Sequence, residues 1–286
     1  MGASGFVGRH VAAYLKNQGH EIIGTASSGR HGLIPFKLES ERIYQKLPAD
    51  FFNSDTPIHA VICAVMGNID RCASEKELAY RINVEGTRRL LEDLNSLKVK
   101  IVYLSSSWVF DGVGGPYAEH HHHAPVNEYG RHKSIVEKFV TAHLPDATVL
   151  RLDKIVGANA KERHLFSEWY DWTALGKPII CIAGQLMTPT FVEDVARAVH
   201  VATTKNLKGL YNVANTEAVS RVELAERFLA ALKLKGAIRE LEQSMVGLLE
   251  KRPLRTALDS TSFIAAAKFQ FTPLQNVFAS FRNSIS

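Results

Sequence analysis

Tyr129 and Lys133 stand four residues apart in Asn127-Glu128-Tyr129-Gly130-Arg131-His132-Lys133. On a helix that spacing stacks both side chains on one face. A lysine cation beside a phenol favours the phenolate, so the pair predicts a Tyr129 pKa pulled below its usual value of about 10. Such a tyrosine can exchange a proton with a carbonyl or an alcohol. Ser105-Ser106-Ser107 lies upstream, where a hydroxyl can bond to the same reacting oxygen. The chain opens with Met1-Gly2-Ala3-Ser4-Gly5-Phe6-Val7-Gly8, in the spacing Gly-x-x-Gly-x-x-Gly. Glycines let the backbone approach a pyrophosphate, and the helix behind them aims its free N–H groups at the phosphates. A Tyr/Lys pair on a solvated helix and a serine triplet at a turn are each common. In this order, on alternating elements, the three features are jointly specific.

The elements that must position them follow from the apolar pattern. Phe6 to Gln18 reads as a helix, with Val7, Val11, Ala12 and Leu15 on one face. His20 to Ala26, Ala60 to Val65 and Lys100 to Ser105 read as strands, the last two as buried apolar runs. Leu78 to Leu97 and Glu128 to Leu144 read as helices. Thr148 to Val156 and Gly209 to Ala214 read as strands, with a helix Val192 to Thr204 between them. This alternation predicts an α/β fold with a Rossmann-like, doubly wound parallel sheet. A glycine loop normally hangs from a buried strand, which here would lie before Met1. The sequence therefore predicts a sheet without its first strand, or a shortened gene product. Beyond residue 157 the pattern loosens. Ser220-Arg221-Val222-Glu223 is a capping box opening a helix, and further helices are expected over Met245 to Lys251 and Asp259 to Phe269. We expect residues 1–157 plus about 191–215 to form the dinucleotide-binding domain. Residues 158–190 plus 216–286 would form a smaller, discontinuous substrate lobe.

Bulk properties narrow the class. A 286-residue chain with 46% hydrophobic and 22% charged residues matches a globular protein with a sizeable core. The net charge of +5 is spread without a basic run, which argues against a nucleic-acid partner. No apolar stretch is long enough for a membrane span, and no signal-peptide pattern opens the chain. Cys63, Cys72 and Cys181 are odd in number and lack metal-ligand or redox spacing. Free thiols in a reducing cytoplasm are the expectation.

The chain resembles the extended short-chain dehydrogenase/reductase superfamily and, within it, the dTDP-4-dehydrorhamnose reductase group. The likeness covers most of the chain. It runs through Gly2 to Gly8, Ala79 to Thr87 with Asn83, and Ser105 to Gly112 with its Val-Phe-Asp-Gly segment. It continues through Pro116-Tyr117-Ala118-Glu119, Asn127 to Lys133, Thr188 to Ala196, Arg252-Pro253 and Leu258-Asp259. The resemblance implies reduction of a keto group on a nucleotide-activated 4-keto-6-deoxysugar, with hydride supplied by NADPH. It implies Tyr129 as the proton donor, Lys133 as its partner and ribose ligand, and Ser106 as the hydroxyl on the keto oxygen. It places the cofactor against Gly2, Ser4, Gly5, Phe6, Val7, Gly8, Ala64, Val65 and Asn83. Ser107, Trp108, Gln185 and Thr190 become candidate substrate contacts. At Ser107-Trp108 the group commonly carries Asp-Tyr. Two other readings stay open: epimerisation or dehydration of a nucleotide sugar, and a non-catalytic regulatory subunit that keeps the fold.

Cofactor choice follows from charge. An acidic residue about 20 positions past the glycine loop would hold the ribose 2′-OH of NAD. From Ile22 to Leu38 there is no Asp or Glu, whereas Ser27, Ser28, Arg30 and His31 suit a 2′-phosphate. NADP is therefore favoured, with NAD as the alternative. His120 to His123 lack an accompanying carboxylate cluster, so no metal is expected and the segment reads as a solvated loop. Trp169, Tyr170 and Trp172 read equally as a stacking surface or as core. The sequence names neither the sugar nor the nucleotide, and it leaves a homodimer open.

Overall fold

The computed structural model describes residues 1–29, 32–47, 51–52 and 56–285. Four parallel strands form the central sheet, in the order His59–Ile62, Lys100–Ser106, Thr148–Leu152, Gly209–Val213. Val61 pairs with Val102, Leu104 with Leu150, and Arg151 with Asn212. The two middle strands are buried on both faces, as their continuous apolar runs require. Helices Phe6–Asn17 and Val192–Thr204 cover one face through Val11, Leu15, Val195 and Val199. Helices Thr87–Ser96 and Glu128–His143 cover the other through Leu90, Leu91, Leu94, Val136 and Val140. This is the α/β, parallel-sheet architecture expected from the alternation.

Several boundaries differ from the sequence reading. Of His20 to Ala26, only Thr25–Ala26 forms a strand, paired with Ile34–Pro35. Extended residues become a strand only where a neighbour supplies donors and acceptors. Ala3 donates to the Thr25 carbonyl (2.9 Å) and Ile34 to the Gly24 carbonyl (2.9 Å), whereas among the described residues no strand pairs with residues 20–23. Between that segment and His59–Ile62 lies an open, largely apolar slot of about 850 Å³. The expected strand Thr148 to Val156 splits: Thr148–Leu152 stays in the main sheet, while Ile155–Val156 pairs with Thr190–Phe191. Met245 to Lys251 is not a helix but a short 3₁₀ turn, Gln243–Met245, followed by turns. The expected helix Asp259 to Phe269 shrinks to Thr261–Ala267.

A second apolar cluster joins Phe166, Trp169, Phe228, Phe278 and Phe281 from three helices to Ile179, Cys181 and Met187. Trp169 is fully buried here, so its role is core packing rather than ligand stacking. Tyr170 and Trp172 pack against the same cluster while partly exposed. Truncating one of these buried aromatics to alanine costs about 3–5 kcal/mol. Among the described residues, no helix is long and apolar enough to cross a membrane.

Candidate functional site

The glycine loop is built for close approach. Gly2 adopts φ +76°, a conformation that L side chains rarely accept, and a Cβ there would lie 2.7 Å from the Ala64 backbone. At Gly8 a Cβ would meet the Gly2 carbonyl oxygen at 2.2 Å. The turn is closed by Gly5 N–H donating to the Gly2 carbonyl (3.1 Å). Helix Phe6–Asn17 then begins with no side-chain cap and no acidic residue in its first turn. Its N-terminal N–H groups are left to an anion, and Ser4 and Gly5 are exposed. The residues present therefore fit a pyrophosphate. Ser27 is exposed just after Thr25–Ala26, whereas Arg30 lies outside the described residues.

Ala64 and Val65 follow the strand His59–Ile62 and are half-buried. Asn83 stands behind them. Its Oδ1 accepts from Met66 N–H (2.7 Å) and its Nδ2 donates to the Met66 carbonyl (3.1 Å). With both amide ends engaged and the residue buried, Asn83 clamps the loop rather than touching a ligand. It sits in a π-helical stretch, Arg81–Gly86, a distortion that often marks functional sites.

Tyr129 is set by its neighbours in sequence. Asn127 caps the helix Glu128–His143 by accepting from Gly130 N–H (2.9 Å). A Cβ on Gly130 would lie 2.2 Å from the Trp108 carbonyl oxygen. Glycine beside Tyr129 thus lets the helix press against the turn Ser107–Val109 that follows strand Lys100–Ser106. Across this contact Ser106 hydrogen-bonds Tyr129. Ser106 Oγ also accepts from Trp108 N–H (3.2 Å), and the Trp108 ring meets Tyr129 edge-on at 5.8 Å. Lys133, one turn on, donates to the Leu104 carbonyl (2.7 Å) and lies over the Tyr103 ring.

The electrostatics correct the expectation for the phenol. Burial pushes Tyr129 up to about 12, and the Ser106 hydrogen bond offsets only part of this. Lys133 is not among the groups that lower it. Burial also takes Lys133 down to about 8. Desolvation, not the spacing to Lys133, decides the phenol, so Tyr129 is a protonated donor at neutral pH.

Two expected substrate contacts fail on geometry. Ser107 is fully buried, and its hydroxyl donates to Asp153 Oδ1 (2.8 Å). Thr190 is fully buried, donating to the Thr188 carbonyl (2.9 Å) and accepting from Asn215 N–H (2.9 Å). Neither hydroxyl can reach a ligand. Trp108 remains beside Tyr129, and Gln185 keeps an unpartnered, solvent-shielded Oε1.

Sequence reasoning also missed a buried ionic cluster. Arg151 and Glu137 form a fully buried ion pair, which His123 joins through Glu137 Oε1 (2.9 Å). His120, His121 and His122 are exposed as expected, but His123 is not. Among the described residues no group of His, Cys, Asp and Glu gathers as a metal site.

A family model described as the RmlD substrate binding domain matches residues 1–285. The probable low-salt glycan biosynthesis reductase Agl14 of Haloferax volcanii is 29% identical over 90% of this chain and 88% of its own length. Subunit beta of methionine adenosyltransferase 2 from Danio rerio is 25% identical over 96% of this chain and 86% of its own length. Among solved structures, a hypothetical dTDP-4-dehydrorhamnose reductase from Sulfolobus tokodaii superposes with a TM-score of 0.81 at 29% identity, covering 93% of this chain and 92% of that one. The Bacillus anthracis dTDP-4-dehydrorhamnose reductase in complex with NADP gives 0.85 at 23% identity, covering 98% and 96%, which is a likeness of fold.

Proposed function

The chain belongs to the RmlD substrate-binding-domain family of extended short-chain dehydrogenases/reductases, and on that premise we propose that it is an NADPH-dependent reductase of a nucleotide-activated 4-keto-6-deoxysugar. The observation that carries the reading is the convergence of Ser106, Tyr129 and Lys133 at the end of strand Lys100–Ser106. Relatives named as reductases, and a fold neighbour solved with NADP, support the cofactor and the reaction class.

A bound nicotinamide cofactor would supply the hydride to the carbonyl carbon. This chain's residues do the rest. Gly2, Gly5 and Gly8 with the first turn of the following helix hold the pyrophosphate. Tyr129, kept protonated by burial, gives its proton to the keto oxygen as negative charge develops there. Ser106, already hydrogen-bonded to Tyr129, donates to the same oxygen, and the Lys133 ammonium, held by the Leu104 carbonyl, would bind the cofactor ribose. Net oxidation of NADPH on adding a dTDP-4-keto-6-deoxysugar tests the reading. Turnover without net NADPH loss would point instead to epimerisation.

A second reading is favoured by one observation, the likeness to methionine adenosyltransferase 2 subunit beta over almost the whole chain. In that reading the fold serves as a non-catalytic subunit. A Tyr129→Phe chain that still performs its biological role would support it.

A further inference from the structure

Three consecutive residues far down the chain reach the surroundings of Tyr129. The Glu250 carboxylate accepts from Glu128 N–H (3.0 and 3.2 Å), the first residue of the Tyr129 helix. The Lys251 carbonyl accepts from Nδ2 of Asn127, the cap of the same helix (3.0 Å). The Arg252 guanidinium lies over the Trp108 ring at 5.8 Å, and that ring meets Tyr129 edge-on. Gln243 fixes the Arg252 backbone at both ends, accepting from its N–H (2.8 Å) and donating to its carbonyl (3.0 Å). Arg252 Nη2 donates to Asp70 Oδ1 (2.5 Å), in the first turn of the helix Ile69–Ser74 just beyond the Met66 loop.

Stability does not account for this placement. The Arg252 side chain is only 11% exposed, and its Nη1 is shielded from solvent without a hydrogen-bond partner. Withdrawing that donor from water is unfavourable. An ion pair with Asp70, whose side chain is 45% exposed, offsets little of it. What the guanidinium does have is a hold on Trp108. The Trp108 backbone is fixed by the Ser106 hydroxyl at its N–H and by Gly130 against its carbonyl. Those contacts leave the half-buried ring free to choose among rotamers. A cation within about 6 Å of an indole face is attracted by the ring quadrupole, more strongly where water is excluded.

We propose that Arg252 is a positioning residue, holding the Trp108 indole against Tyr129 while Asp70 holds Arg252. The consequence for turnover rests on the reductase reading above. The placement of the ring does not, so the two can be tested apart.

The first arm is kinetic, with NADPH and a dTDP-4-keto-6-deoxysugar. In Arg252→Met, kcat should fall about tenfold with KM within about threefold, because a misplaced wall of the site costs reactive geometry. NADPH affinity should be unchanged. Arg252→Lys, which keeps a charge for both partners, should lie between Arg252→Met and the wild type. In a Trp108→Leu chain, adding Arg252→Met should cost nothing further, since groups acting through one another are not additive.

The second arm is acrylamide quenching in a Trp172→Phe chain, where Trp169 is buried and Trp108 supplies the accessible emission. The quenching constant should rise about twofold on adding Arg252→Met or Asp70→Asn, as the ring leaves its place. Circular dichroism checks folding, and Asp70→Asn keeps the test open if Arg252→Met does not fold. Unchanged quenching in both variants would overturn the assignment. So would an unchanged kcat, or a loss in Arg252→Met that is the same with and without Trp108. If the wild type turns over no keto sugar, the reductase reading fails, and quenching still decides whether Arg252 holds the ring.

Discussion

Arg151 Nε donates to Glu137 Oε2 at 3.3 Å, joining the third strand of the sheet to the helix that carries Tyr129. Both side chains are out of water, and Asn212 and His123 take up further guanidinium and carboxylate valences. Removing one partner strands the other charge, so Glu137→Gln or Arg151→Met should each lower stability by about 3–5 kcal/mol. Urea unfolding measures it. A loss under about 1 kcal/mol would mean that the surrounding dipoles already suffice.

The same pair makes stability pH-dependent in a definite direction. Burial works to raise the Glu137 pKa, but His123 and Arg151 prevail and hold it at about 2, below the ordinary 4.5. A depressed carboxylate stabilises the fold above its unfolded pKa. That contribution should fall away as pH drops from about 4.5 towards 2. The difference in urea midpoint between wild type and Glu137→Gln should shrink across that window, and a constant difference would contradict it.

Tyr129→Phe removes the proton donor while keeping the ring that meets Trp108. Turnover of the keto sugar should fall roughly a hundred- to ten-thousand-fold, with NADPH affinity little changed. Lys133 sets the alkaline limit. Its pKa near 8, lowered by burial, means that the ammonium is lost as pH rises through that value. The kcat/KM profile should therefore decline above about 8, because kcat/KM reports the free protein's groups. A flat profile up to about pH 10 would remove Lys133 from the reaction.

Gly8→Ala should weaken NADPH binding by at least roughly tenfold, because the new Cβ would collide with the Gly2 carbonyl oxygen at 2.2 Å. Titration of the folded variant measures it. Gly19→Ala, at a glycine with open space but φ +85°, is the comparison, and it should affect stability and not the cofactor.

What could be read from the sequence was local. Ser106, Tyr129 and Lys133 are placed by a strand end, a capped helix and a four-residue spacing, and the helix Val192–Thr204 by its apolar period. Which way a strand-end hydroxyl points was not legible. Ser106 reaches Tyr129 while its neighbour Ser107 turns to Asp153, because successive side chains of an extended chain face opposite ways. The Tyr129 pKa is illegible for a related reason: charge proximity shows in the spacing, whereas desolvation depends on everything folded around the phenol. Arg151 with Glu137 joins a strand to a helix across 14 positions of sequence, and no period marks the pair.

His10 ties three elements together. It stands on the helix behind the glycine loop, with Nδ1 bound to Glu193 (2.6 Å) and Nε2 to Glu162 (2.8 Å). The Glu193 hydrogen bond is the largest influence raising its pKa above 6.5, and Glu162 adds to it against partial burial. A raised histidine stabilises the fold fully below its unfolded pKa and loses that contribution as pH rises through its folded pKa. The wild type should therefore exceed His10→Gln in thermal midpoint at about pH 6 and converge on it under alkaline conditions. Both carboxylates sit on elements that flank the loop helix, so the same protonation fixes where its N-terminus points. NADPH affinity in wild type should fall over the same range more than in His10→Gln. If the two chains keep a constant gap in both measurements, the imidazolium is not what holds the helix in place.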